Sequence, residues 1–387
     1  MLYLLLYPLH ETFRHLRFLR VLQYPSFRIT MAFATALLLG LVMGPRLIRH
    51  LRLAQKGVAN TRAYSPDEEN ERKKATPTAG GMLVVFALAL STLLFADMRV
   101  KYVWAALVVT VGFGFTGWLD DKLKISKRNS QGLKGRHKLF LQTLFFLVAL
   151  YAFFFDPTRA SHAWLSLDTN LTLPFVPTRV FQVDVAWLYL PFAYVIVVGT
   201  SNAVNLTDGL DGLAAGPAAV SAGLFTFLAY VAGVTINGFN IARYLNIPPV
   251  PGAEELAVFG AAVAGAVVAF LWFNAYPADV FMGDVGALAL GGALGILAVF
   301  TKNEVVSAIV NGVFLAEIAS VMLQVPFFKV TKAMSGNGQG KRLFLMTPIH
   351  HHFQKLPRPW PESKIVVRFW ILAVMLAIVG VASLKLR

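Results

Sequence analysis

The sequence predicts an all-α, polytopic integral membrane protein of about ten transmembrane helices, and three observations predict it. Of its 387 residues, 57% are hydrophobic and only 14% charged, with a mean hydropathy of +0.62. A soluble domain carries roughly 25% charged residues. Apolar stretches close to the ~20 residues needed to cross a hydrocarbon core recur along the whole chain. The cations gather in loops that alternate topology places on one side.

Taken in order, the apolar stretches fall at 29–46, 80–97, 102–119, 139–155, 185–204, 213–235, 256–275, 284–301, 305–327 and 365–384. Ahead of them, Met1–Leu9 is apolar but short, has no basic region before it and is followed by His10, Glu11 and three arginines. It does not read as a cleaved signal peptide, and residues 1–27 are expected to form an interfacial helix. If the N-terminus lies outside, ten crossings return the C-terminus to the same periplasmic side. The segments 46–79, 120–138, 204–212, 276–283 and 328–364 then face the cytoplasm.

The net charge of +15 raises the possibility of a nucleic-acid partner, and its distribution argues against one. Segments 46–79, 120–138 and 328–364 hold 22 of the 35 Lys and Arg residues, whereas the outer segments 97–101, 156–184, 236–255 and 302–304 hold six. That is the positive-inside bias of a membrane protein. The absence of cysteine excludes disulfides and thiol catalysis. No loop is long enough to fold alone, so residues 1–387 read as one membrane domain.

Polar residues with chemical potential gather at the inner ends of the spans: Lys73, Asp120, Asp121, Lys124, Asn205, Asp208, Asp211, Asn274, Asp284 and His350–His352. Carboxylates beside a bilayer cost free energy, so they point to function. A site at span ends, open to the cytosol and bordering lipid, suits one water-soluble and one lipid reactant. Adjacent carboxylates at Asp120 and Asp121 repel each other unless a cation is near. Lys124 lies one helical turn on, where it reaches Asp120 or a phosphate.

Asn205, Asp208 and Asp211 recur every three residues, which on a helix places them on one face, a small polar wall for a sugar or nucleoside. Asp284, after Phe281-Met282-Gly283, is the metal candidate, because one carboxylate together with substrate phosphates is a common way to hold Mg²⁺. Asp208, Asp211 or Asp284 alone also fits a helix cap. Phe281 is suited to stacking on a base or to anchoring at the interface. Consecutive histidines diverge on a helix and do not bind one ion together, so His350, His351 and His352 read as hydrogen-bonding groups for phosphates. Lys73-Lys74-Ala75-Thr76-Pro77-Thr78-Ala79-Gly80-Gly81 combines cations, hydroxyls and glycine backbone suited to anion contact.

In this order, the segments resemble the polyprenyl-phosphate N-acetylhexosamine-1-phosphate transferases. The likeness runs from Phe27 to the C-terminus. It rests on Lys73-x-x-Thr-Pro-Thr78-x-Gly-Gly, Asp120-Asp121-x-x-Lys124, Gly132-Leu133 with Lys138, Asn205-x-x-Asp208-Gly-Leu-Asp211-Gly-Leu, Phe270-Leu-Trp-Phe-Asn274, Val280-Phe-Met-Gly-Asp284 and Pro348-Ile-His-His-His-Phe353. The histidine run points to the branch that uses UDP-MurNAc-pentapeptide rather than UDP-GlcNAc. Ala75, Ala79 and Gln354 depart from the family pattern, which has Gly, Met and Glu there.

The resemblance implies a ten-span enzyme of the bacterial inner membrane, tending to homodimers. It would join UDP-MurNAc-pentapeptide to undecaprenyl phosphate with Mg²⁺, releasing UMP and making lipid I. It further implies that Lys73, Thr78, Lys124 and Lys138 contact phosphates, that Asn205, Asp208, Asp211 and Phe281 serve the uridine end, that His350–His352 reach phosphates or sugar, and that Asn274 contacts the substrate. Asp120, Asp121 and Asp284 would carry the chemistry. The competing readings are a GlcNAc-1-phosphate transferase and a transporter, and transporter sites lie near the bilayer midplane on inverted repeats, which this sequence does not display.

Overall fold

The computed structural model describes residues 2–55, 76–127, 132–155, 168–178, 180–335 and 339–385. From Pro25 onward its principal helices are α1 (Pro25–Ala54), α2 (Gly81–Phe95), α3 (Lys101–Lys127), α4 (Gly135–Phe154), α5 (Tyr189–Thr207), α6 (Ala215–Gly233) and α7 (Ala253–Asn274), followed by α8 (Gly283–Phe300), α9 (Glu304–Val310), α10 (Gly312–Met334), α11 (Ile349–Gln354) and α12 (Glu362–Lys385). Among the described residues nine helices are long and apolar enough to cross a membrane, and α2 is a shorter apolar helix. The chain is a polytopic helical membrane protein.

The centre of the bundle is α7 and α8. The apolar window of α8 is 89% buried and that of α7 78%, against 28% for α1, α4, α10 and α12, which turn their side chains outward. α7 packs on α1 and α6, and α8 on α3 and α5. Small residues permit this closeness, since without a hydrophobic drive between helices in lipid the packing depends on backbones approaching. A methyl group on Gly291 of α8 would sit 2.4 Å from the Ser201 Cα of α5.

The two ends of the bundle are chemically distinct. At one end Arg28 makes a bidentate pair with Glu255, both distances 2.5 Å, and Arg28 Nη1 also donates to the Phe95 carbonyl at 3.3 Å. Tyr102, Phe154 and Phe300 cluster at that end, and two short antiparallel hairpins, Asn170–Leu171 with Val183–Asp184 and Thr235–Ile236 with Phe239–Asn240, join helices there. The other end carries Asp120, Asp121 and Asp284.

Three expectations need correction. The apolar stretch 305–327 is not one continuous helix: it breaks at Asn311 (φ −91°, ψ 19°) between α9 and α10, where Asn and Gly are both weak helix formers, and the crossing-length helix is α10. The stretch 80–97 condenses to the 15 residues of α2. Residues 1–27 are not one helix either. Leu2–Leu6 and Leu9–Thr12 are separate helical turns followed by a 3₁₀ helix, Arg14–Gln23, because Pro8 has no N–H to carry the first helix onward and Pro25 starts the next one.

Candidate active site

Asp120 and Asp121 lie inside α3, which continues to Lys127, so the pair sits before the helix end rather than at it. Both are buried, at 0% and 3% exposure. Buried carboxylates need partners. Lys124, one turn on, places Nζ 2.5 Å from Asp120 Oδ2 and 3.2 Å from Asp284 Oδ2. Lys138, in the first turn of α4, places Nζ 3.1 Å from Asp120 Oδ1 and 2.5 Å from Asp284 Oδ2. The Leu133 amide donates to Asp120 Oδ1 at 2.6 Å, Asn205 Nδ2 to Asp284 Oδ1 at 3.0 Å, and the Val285 amide to Asp121 Oδ2 at 3.3 Å.

One oxygen from each of Asp120, Asp121 and Asp284 lies within 4.8 Å of the others. The expectation of Asp284 as a lone metal candidate thus becomes a set of three. Three carboxylates against two ammonium groups leave an excess of negative charge, and the all-oxygen donor set suits a hard divalent cation. These residues fit such an ion.

Close backbone contact sets the spacing. A methyl group on Gly117 of α3 would lie 2.2 Å from the Asp284 carbonyl oxygen, so α3 and α8 touch directly beneath the acids. Gly283 has φ +70°, and a methyl group there would lie 2.6 Å from Asp121 Oδ2 and 2.9 Å from Thr78 Oγ1. Thr78 therefore borders the acidic set. Its segment is pinned by hydrogen bonds from the Gly80 amide to the Phe281 carbonyl, the Gly81 amide to the Met282 carbonyl and the Phe281 amide to the Pro77 carbonyl, at 2.8–2.9 Å. Gln55, at the end of α1, grips the Thr78 backbone at 3.0 Å twice, its Nε2 donating to the Thr78 carbonyl and its Oε1 accepting from the Thr78 amide.

The polar wall expected from Asn205, Asp208 and Asp211 is not one helix face. α5 ends at Thr207, Asp208 is its C-cap, and Asp211 lies in the following turn, where Gly212 takes φ +77°. Asp211 is buried: Oδ2 accepts from the Ala278 amide at 3.0 Å, while its own amide donates to Glu362 at 2.7 Å. Asn274, also buried, bonds the Gly212 amide at 3.1 Å and the Val280 carbonyl at 2.9 Å. Both side chains brace the loops beside the site. Phe281 is 4% exposed. Lys73 lies outside the described residues.

The histidines diverge on α11. His350 is buried at 1%, with Nδ1 3.0 Å from Glu317 Oε2. His351 Nδ1 lies 2.7 Å from Gln354 Oε1, and His352 Nδ1 accepts from the Leu345 amide at 3.2 Å. Phe353 stacks on Trp360 at 4.7 Å, fixing the short helix against the start of α12. Sequence reasoning missed Glu317, Glu362 and Gln55. Glu317 had a signal, as a lone acid within an apolar stretch; Gln55 had none.

Such a site, with two lysines and three acids gathered at one end of a membrane bundle, has the charge pattern of a membrane enzyme that handles phosphates. Residues 103–302 match the model of Glycosyl transferase family 4. Over its full length the chain is 54% identical to a phospho-N-acetylmuramoyl-pentapeptide-transferase of Anaeromyxobacter sp. (strain K), covering 100% of both chains. It is 52% identical to that of Myxococcus xanthus (strain DK1622), covering 99% of this chain and 100% of the relative, and 49% identical to that of Sorangium cellulosum (strain So ce56), covering 100% of both. The chain belongs to the phospho-N-acetylmuramoyl-pentapeptide-transferase family.

Proposed function

We propose that the chain transfers phospho-N-acetylmuramoyl-pentapeptide from UDP-MurNAc-pentapeptide to undecaprenyl phosphate at the cytoplasmic face of the inner membrane, giving lipid I and UMP in peptidoglycan synthesis. The observation that carries this reading is the convergence of Asp120, Asp121 and Asp284 within 4.8 Å, bridged by Lys124 and Lys138, at one end of the bundle. Phosphoryl transfer demands little covalent chemistry from a protein and much charge neutralisation and positioning.

Asp120, Asp121 and Asp284 would hold Mg²⁺, which supplies polarisation of the diphosphate and neutralisation of its charge. An oxygen of undecaprenyl phosphate forms a bond to the β-phosphorus of the nucleotide-sugar. The bond from that phosphorus to the bridging oxygen breaks, and UMP departs with the electron pair. Lys124 and Lys138 exchange part of their carboxylate contacts for phosphate oxygens, joined by Lys73 and the Thr78 hydroxyl. Asp120 takes the proton of the prenyl phosphate when that oxygen is protonated. Asn205 and Asp208 hold the uridine end, and His351 and His352, on the more open side of α11, reach phosphate or sugar oxygens. Asp211, Asn274 and Phe281 shape the wall. The reading includes a homodimer.

The test is turnover of purified protein with undecaprenyl phosphate and each UDP-sugar offered separately. UMP release from UDP-MurNAc-pentapeptide and not from UDP-GlcNAc is expected; comparable turnover of UDP-GlcNAc would move the chain to the neighbouring branch.

A further inference from the structure

α4 reaches the acidic set from its first turn, while most of its apolar length turns outward and it packs mainly along α3. Lys138, in that turn, nevertheless places its ammonium on Asp284 of α8 and Asp120 of α3. Lysine has a long, flexible stem, so where its ammonium rests depends on the register of the helix that carries it. A second tie lies one helical turn further into the bundle. Gln142 follows Lys138 by four residues and so shares its face of α4, where it is 0% exposed.

Gln142 Oε1 accepts from Asn202 Nδ2 at 3.0 Å, and its Nε2 donates to Ser201 Oγ at 2.9 Å. The Ser201 hydroxyl in turn donates to the Leu288 carbonyl at 2.8 Å. Ser201 and Asn202 of α5 precede Asn205 by four and three residues, and Leu288 of α8 follows Asp284 by four. The three helices that bring Lys138, Asn205 and Asp284 together are thus hydrogen-bonded to one another again one turn deeper. An amide at this depth costs free energy unless it is paired, and its neighbours do not need it, since Ser201 has the Leu288 carbonyl and Asn202 the Val198 carbonyl at 2.8 Å. Thr143 Oγ1 and Tyr194 Oη, 2.8 Å apart, also join α4 to α5, but among the described residues the Gln142 chain is the one that carries on to α8 beneath Asp284.

We propose that Gln142 is a positioning residue for the transfer reaction. It fixes α4 against α5 and α8, and so holds the Lys138 ammonium beside Asp284, where the diphosphate charge develops. This rests on the transferase reading above and deepens it, since an amide that touches no substrate gains a part in the rate. The logic is that of groups which orient a working side chain from behind, where a small misplacement far from the chemistry is felt in the turnover.

The test is a double-mutant cycle on the purified full chain with undecaprenyl phosphate and UDP-MurNAc-pentapeptide. In Gln142→Leu the tie is lost while Ser201 and Asn202 keep their backbone acceptors, so the chain should stay folded. We expect kcat about 10- to 100-fold lower, with KM for the nucleotide-sugar within about 3-fold of wild type. Because Gln142 acts through Lys138, Gln142→Leu combined with Lys138→Met should be no slower than Lys138→Met alone. Losses that multiply would overturn the proposal, as would a Gln142→Leu enzyme with wild-type kcat or one whose loss lies wholly in KM. Should Gln142→Leu fail to fold, Ser201→Ala decides, since it deletes only the hydroxyl that links Gln142 to Leu288: a lowered kcat at unchanged KM supports the proposal, and wild-type kcat overturns it. A wild type inactive on every UDP-sugar would overturn the transferase reading and this proposal together, whereas an active wild type with an equally active Gln142→Leu overturns this proposal alone.

Discussion

Lys138 Nζ meets Asp284 Oδ2 at 2.5 Å, joining the first turn of α4 to the first turn of α8. The same ammonium lies 3.1 Å from Asp120 Oδ1, so one cation holds two acids from different helices in a common site. Replacing it with methionine keeps the aliphatic stem and removes the charge. We expect Lys138→Met to lower kcat by ~10²–10³-fold, the scale of losing one well-placed electrostatic group. A variant releasing UMP within about 3-fold of the wild-type rate would show that Lys138 only packs.

The acids themselves should separate by kinetic signature. Asp284→Asn is expected to reduce kcat by at least ~10³, about 4 kcal/mol, with a smaller change in KM for the nucleotide-sugar. Asp208→Asn should act chiefly through that KM. If Asp284→Asn folds normally and turns over at the wild-type rate, the metal assignment must move to Asp120 and Asp121.

Chelation provides an independent check on the same three carboxylates. With EDTA present, activity should disappear, and Mg²⁺ or Mn²⁺ should restore it, since both prefer oxygen donors. Full turnover in chelator would leave the carboxylates without a metal role.

The contact beneath the acids should be intolerant of a single carbon. In Gly117→Ala the new methyl group would lie 2.2 Å from the Asp284 carbonyl oxygen, a backbone atom that cannot swing away. Overpacking of this kind costs about 1–3 kcal/mol. Both the melting temperature and kcat should therefore fall. Unchanged values of both would mean that α3 and α8 separate more easily than their packing implies.

A remote control lies at the other end of the bundle. Arg28→Ala strands the Glu255 carboxylate, whose side chain is 5% exposed, and breaking a buried pair in this way costs about 3–5 kcal/mol. Thermal stability should drop while kcat of the folded fraction stays near wild type. A selective loss of kcat would reveal coupling between the two ends.

The helical class and the gathering of three acids were legible because both depend on local pattern. Nine of the expected spans have a crossing-length counterpart, and Asp120, Asp121 and Asp284, expected near span ends, come together at one end of the bundle. What escaped was decided by tertiary contact. The three-residue rhythm of Asn205, Asp208 and Asp211 suggested one helix face, but the helix stops at Thr207 and Asp211 is drawn away by the Ala278 amide. Glu317 could not be tied to His350, 33 residues distant, without knowing how α10 passes α11.

The shortness of α2 sets the depth at which the chemistry occurs. Fifteen residues rise only about 22 Å, whereas a hydrocarbon core is about 30 Å thick. One end of α2 is held by Arg28 at the Phe95 carbonyl, and the other begins at Gly81 beside Met282. The irregular strip Pro77–Gly80 therefore takes over where α2 has stopped short of that thickness, which backbone tolerates at such depth only when surrounded by protein or lining a wet cavity. The acids lie beside that strip. A soluble nucleotide-sugar would reach them from the aqueous side, while a prenyl phosphate would travel sideways from the surrounding lipid.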